Sequence, residues 1–238
     1  MIIRPIIYLF LTASLLFISC EKEEEILVEE AIPPIVEDKT ATYRVTFSFD
    51  WNKNDFPTDY PAGAHFSPLV GWVHQVDNTF FDSGKIATAG IEQMAETGAT
   101  GVLVAELNAE ISNGKGLKVY TGSGLSGGVG TITIDVDVSP QFPAVSLVTM
   151  IAPSPDWYAA CVDVNLLDEN NVFVTNKTVV GRVYDAGTDN GASFTSTNSD
   201  TNPKVAISKI TQPPLGNGTE VKPSFCTVSF EKILNVKF

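Results

Sequence analysis

Over residues 42–50 the chain alternates without a break: Tyr43, Val45, Phe47 and Phe49 are apolar, while Thr42, Arg44, Thr46, Ser48 and Asp50 are polar. Successive side chains of a strand point to opposite faces, so this run predicts a strand with one face in a core and the other in water. A helix would scatter the same four apolar side chains around its circumference. The pattern returns over residues 131–138, with Ile132, Ile134, Val136 and Val138 inward. Residues 102–111, 144–151, 157–166, 172–180 and 226–230 share its length and β-branched content, which predicts at least seven strands. Turn-rich intervals at Asn113-Gly114 and at residues 123–130, 168–171 and 189–202 separate them, as in an antiparallel sandwich. Residues 87–97 alone read as helix, with Ile91, Met94 and Ala95 at helical spacing and Gly98 as a stop, and this helix is expected to cap one end. The expected fold is all-β, an antiparallel β-sandwich with one short helix, over residues 41–238.

What precedes that domain reads as an address. Arg4 is followed by an apolar run from Ile6 to Ile18, too short to span about 30 Å of hydrocarbon as a helix, so residues 1–19 are expected to be a signal peptide. The run ends in Phe17-Ile18-Ser19-Cys20, which resembles a bacterial lipobox and implies Cys20 as an acylated N-terminus. Residues 20–40 hold eight acids against Lys22 and Lys39, and Pro33-Pro34 breaks any helix, so they are read as a solvated tether. Glu21-Lys22-Glu23-Glu24-Glu25 directly after Cys20 resembles the surface-export signal of Bacteroidota lipoproteins, although a plain charged linker has the same composition. The expectation is an outer-membrane lipoprotein at the cell surface, attached to the membrane by its lipid.

A formal charge of −13 for the chain, with 12 basic and 20 acidic residues over 41–238, argues against nucleic acid or another polyanion as a partner. Proteins and neutral glycans remain open. Besides Cys20 there are Cys161 and Cys226. Taking Tyr158, Val162, Val164 and Leu166 as the apolar face turns Cys161 away from it, whereas Cys226 shares a face with Val228 and Phe230, which favours two free thiols over a bridge.

Asp185-Ala186-Gly187-Thr188-Asp189-Asn190-Gly191 places two carboxylates four residues apart in a loop where Gly187 and Gly191 are able to take positive φ. Calcium asks for six to eight oxygens, and such a loop offers carboxylates and carbonyls in a small volume. Asp156, in the Pro-bounded loop Ser154-Pro155-Asp156-Trp157, supplies a third acid. The alternative is that these aspartates only cap turns. Other candidates carry less. Gly124-Leu125-Ser126-Gly127-Gly128 has the form of a hydrolase elbow but precedes a strand, and reads as a glycine-rich hairpin. Asp135 and Asp137 fall on the wet side of their strand, and His65 and His74 lack a third zinc ligand.

Tyr43-Arg44-Val45-Thr46-Phe47, Phe56-Pro57, His65-Phe66-Ser67-Pro68-Leu69-Val70-Gly71, Ala95-Glu96-Thr97-Gly98, Ser154-Pro155-Asp156-Trp157 and the 185–191 run together resemble the spondin amino-terminal domain. That family is known from animal matrix proteins and from bacterial exported proteins. The resemblance implies a sandwich related to C2 domains, one bound calcium, and Asp156, Asp185 and Asp189 as its ligands. Arg182-Val183-Tyr184 departs from the bulky aromatic, Pro and Trp common before the aspartate run. The resulting expectation is a non-catalytic, calcium-binding adhesion module with an unidentified protein or glycan ligand. An envelope hydrolase with an unrecognised site and a structural envelope subunit are the other readings.

Overall fold

A computed structural model describes residues 40–233. The signal peptide, Cys20 and nearly all of the acidic tether lie outside them. The elements are β1 (Ala41–Asp50), β2 (His65–Phe66), β3 (Val70–His74), α1 (Ala89–Thr97), α2 (Gly101–Ser112), β4 (Gly116–Thr121), β5 (Val129–Val138), β6 (Ala144–Ala152), β7 (Trp157–Asn165), β8 (Asn176–Val180), β9 (Arg182–Asp185), β10 (Ser208–Lys209) and β11 (Cys226–Ile233). One sheet has the order β5-β1-β11-β8. The other runs β10-β9-β7-β6-β3-β4, with β2 added on β6.

The alternation in β1 does what it predicts: Tyr43, Val45, Phe47 and Phe49 are buried between the sheets with Ile132, Val136, Val228 and Phe230. Each such side chain contributes roughly 1.5–3 kcal/mol of transfer free energy. The polar face is wet. There Arg44 makes a two-pronged contact with Asp135 at 3.0 and 3.1 Å, and the Thr42 hydroxyl donates to Asp137 at 2.8 Å. This accounts for the two strand aspartates as cross-strand partners on a solvated face.

Three expectations are corrected. Residues 102–111 are not a strand: they lie in α2, whose Leu103 and Leu107, four apart, are buried. The helices do not cap an end of the sandwich. They cover the outer face of the larger sheet, where Ile91, Met94, Leu103 and Leu107 pack on Val70, Trp72, Val148 and Tyr158 in a second core. β6 is therefore buried along its whole length. The glycine-rich run 124–128 is not a hairpin either, because β4 and β5 belong to different sheets and the segment crosses between them.

The ends of α1 form as its sequence dictates. The Thr88 hydroxyl accepts from Ile91 N–H, and Gly98, at φ 71°, closes the helix by donating to Met94 O at 2.9 Å.

Candidate functional site

The acidic loops meet because of the β7–β9 ladder, which pairs Trp157 with Asp185. Asp156 immediately precedes β7, Asp185 ends β9, and Asp189 follows in the loop leaving β9. Gly187 turns that loop at φ 73°, where an added Cβ would lie 2.4 Å from Val205 O. Gly191 does not have the positive φ expected of it. Its need is space, since a Cβ there would meet Pro155 at 2.5 Å.

Asp156 is fully buried. Its Oδ2 accepts from Thr188 N at 2.7 Å and Asp189 N at 3.1 Å, so it is clasped by the loop that carries Asp189. Its Oδ1 is buried without a partner. Burial, and after it the nearby Asp185 carboxylate, pushes the Asp156 carboxyl up to about 6 against the pull of those hydrogen bonds. Asp185 Oδ1 accepts from Gly187 N at 2.8 Å and Oδ2 from the Trp157 indole at 3.2 Å. Burial raises this carboxyl too; the two hydrogen bonds lower it, and Asp189 adds to the rise. Asp189 Oδ1 accepts from Gly191 N at 2.6 Å and Oδ2 from Ser199 N at 2.9 Å. Asp185 and Asp189 thus make the same turn, each accepting from the N–H two residues on.

Turn capping is real, yet it does not exhaust these groups. A carboxylate oxygen has two lone-pair sites, so one hydrogen bond per oxygen leaves capacity for a cation. Among the described residues no three His, Cys, Asp or Glu side chains are already gathered as a metal cage. The donor set nevertheless fits a hard cation, because Asp156 Oδ1 is a buried acceptor with nothing to accept from, and its neighbour Asp185 repels it.

The sequence reading missed Glu96 near the end of α1. Burial raises its carboxyl, a hydrogen bond with Thr188 lowers it, and Glu92, Asp189 and Asp200 repel it. α1 therefore brings a further acid to this loop. Ala95-Glu96-Thr97-Gly98 stood among the matched segments, but it read only as a helix end.

The remaining candidates have structural settings. His65 is exposed and its Nδ1 bonds to Gly63 O at 2.7 Å. His74 is buried, stacked on Trp72, with Nδ1 on Gln75 O at 2.6 Å and Nε2 on the Ser146 hydroxyl at 2.8 Å. Because a carbonyl only accepts, Nδ1 carries the proton and Ser146 donates to Nε2. Ser126 is exposed in the crossover, with strand β5 rather than a helix after it.

Fold and loops together define an antiparallel β-sandwich module with carboxylate-lined loops beside the strand pair β7–β9. Residues 41–225 match the family described as Spondin_N, and the chain belongs to that family. It is 30% identical to Spondin-2 of Rattus norvegicus over 177 residues, 72% of this chain and 53% of the relative. Spondin-2 of Homo sapiens is likewise 30% identical, over 178 residues, with the same coverage. Against Spondin-1 of Rattus norvegicus the identity is 29% over 180 residues, 72% of this chain and 22% of the relative. The chain thus spans about half the length of Spondin-2 and about a fifth of Spondin-1.

Proposed function

We propose that this protein is a calcium-stabilised binding or adhesion module, held at the outer surface of a bacterial outer membrane by a lipid on Cys20. The observation that carries the metal is the partnerless Oδ1 of buried Asp156, set beside the Asp185 carboxylate and the Asp189 loop. Asp156, Asp185 and Asp189 would hold the ion. The ion would supply charge neutralisation and a fixed loop geometry, and no bond of a substrate is broken. The recognition surface would be the loops around the ion, with a protein or a neutral glycan as ligand. Family membership supports the module, and the Phe17-Ile18-Ser19-Cys20 run supports the anchor.

Thermal unfolding in EDTA, calcium or magnesium tests the metal. With a dissociation constant of roughly 10⁻⁴–10⁻³ M, a few millimolar calcium adds about 1–2 kcal/mol by mass action. A higher melting midpoint is expected in calcium, with less effect of magnesium, and Asp185→Asn and Asp189→Asn should lose it. An unchanged wild-type transition refutes the site. A protein and glycan array probed with and without calcium then tests whether capture depends on the metal.

A further inference from the structure

The two core cysteines stand closer than their strand patterns suggest. Alternation along β7 predicts that Cys161 faces away from Val164 and Leu166, yet all three lie in the core between the sheets with Cys226. The reason is a bulge. Val145 pairs with Val164 but Leu147 pairs with Cys161, so Val162 and Asp163 together oppose Ser146, and Asp163 takes φ 52°. The extra residue reverses the facing of everything before it. Trp157, Ala159 and Cys161 consequently point inward.

Gly181 sits where the chain passes from β8 in one sheet to β9 in the other. Its N–H donates to Cys226 O at 2.9 Å, and a Cβ on it would lie 2.3 Å from Cys226 Sγ. The Cys226 sulfur therefore fills the place of the side chain that residue 181 lacks. Arg182 pairs with Ala160 as the last step of the antiparallel β7–β9 ladder, so Gly181 and Cys161 are the residues that follow just beyond its end. Neighbouring strands lie about 4.8 Å apart, which puts the Cys226 sulfur within side-chain reach of Cys161.

We propose that Cys161 and Cys226, free thiols in this structure, are a modification site that forms a disulfide between the two sheets when the chain folds in an oxidising compartment. Export is needed only for where this happens, and the geometry is independent of the calcium reading. In the reaction two S–H bonds break and one S–S bond forms. Two protons and two electrons pass to a disulfide oxidant of the glutathione or dithiol-oxidase class, which is reduced to thiols. Burial pushes the Cys161 thiol up to about 12 and raises Cys226 as well. Neither is a thiolate in the closed sandwich, so the bond forms while the inner face is still open.

The test is refolding of the full chain in a glutathione redox buffer or in dithiothreitol, followed by alkylation in denaturant and non-reducing peptide mapping by mass spectrometry. The expected product is a peptide pair joining Cys161 to Cys226, two hydrogens lighter than its reduced parts. Its melting midpoint should exceed that of the dithiothreitol product by roughly 5–10 °C. Cys161→Ala and Cys226→Val should each abolish that difference. Full alkylation of both cysteines in natively folded chain from the redox buffer overturns the proposal, as does pairing of either with Cys20. Expression in an oxidising periplasm, read by the same map, decides the question without refolding.

Discussion

Burial gives Asp156 a pH signature in the acid range. Burial, and after it the Asp185 carboxylate, pushes its folded carboxyl up to about 6, against about 3.9 for an unfolded aspartate. A raised value means that its contribution to stability is present below about pH 4 and is lost as pH rises through about 6. In EDTA, wild type should therefore lose stability from this group between pH 4 and 7. Calcium favours the carboxylate and opposes that loss, so the gap in melting midpoint between calcium and EDTA should be small at pH 5 and full at pH 7.5. Asp156→Asn should remove the gap at both values and, in EDTA at pH 7.5, melt no lower than wild type. A gap independent of pH would mean that Asp156 is not a ligand. Asp185 and Asp189 were readable as candidates because Asp-x-Gly repeats in one loop. That Asp156 is fully buried was not readable, because its burial is made by Thr188 and Asp189 folding over it.

At the scale of elements, strands with one wet face were legible in position and in facing, whereas β6 and β7, foreseen at 144–151 and 157–166, were legible in position only. β1 and β5 alternate because water covers their outer side, whereas β6 and the first half of β7 are buried on both faces and do not alternate between apolar and polar. The facing of Cys161 was misread for a different reason: the bulge at Asp163 reverses the parity carried back from Val164 and Leu166. α2 was taken for a strand because Val102-Leu103-Val104 opens it and its apolar residues blur the helical period. Its packing gives a direct check. Leu103→Ala or Leu107→Ala should cost about 2–4 kcal/mol, while Val102→Ala, at a position 36% exposed, should stay within about 0.5 kcal/mol. Comparable losses at Val102 and Leu103 in urea unfolding would be at odds with a helix whose one face is buried.

For the whole molecule, the prediction concerns attachment. Intact mature protein should carry acyl chains on Cys20 by mass spectrometry, and Cys20→Ala should release it from the membrane fraction; unchanged fractionation would end the lipoprotein reading. The sandwich class was legible from alternation and turn spacing. The second core was not, since it depends on helices packing across a sheet face. The placement of β1 adds a mechanical consequence. Under the anchoring proposed above, force from the membrane enters it at Ala41, and its other end leads to Trp51, which touches Phe194 in the segment after Asp189, with ring centroids 5.1 Å apart. Ten residues of strand, about 30 Å, separate the two. A ligand pulled away from the membrane while gripped at those loops would load β1 along its axis. Its ladders to β5 and β11 flank it on both sides, with hydrogen bonds perpendicular to the strand. Tension would thus strain both ladders in shear, many bonds sharing the force at once, instead of peeling them apart one after another.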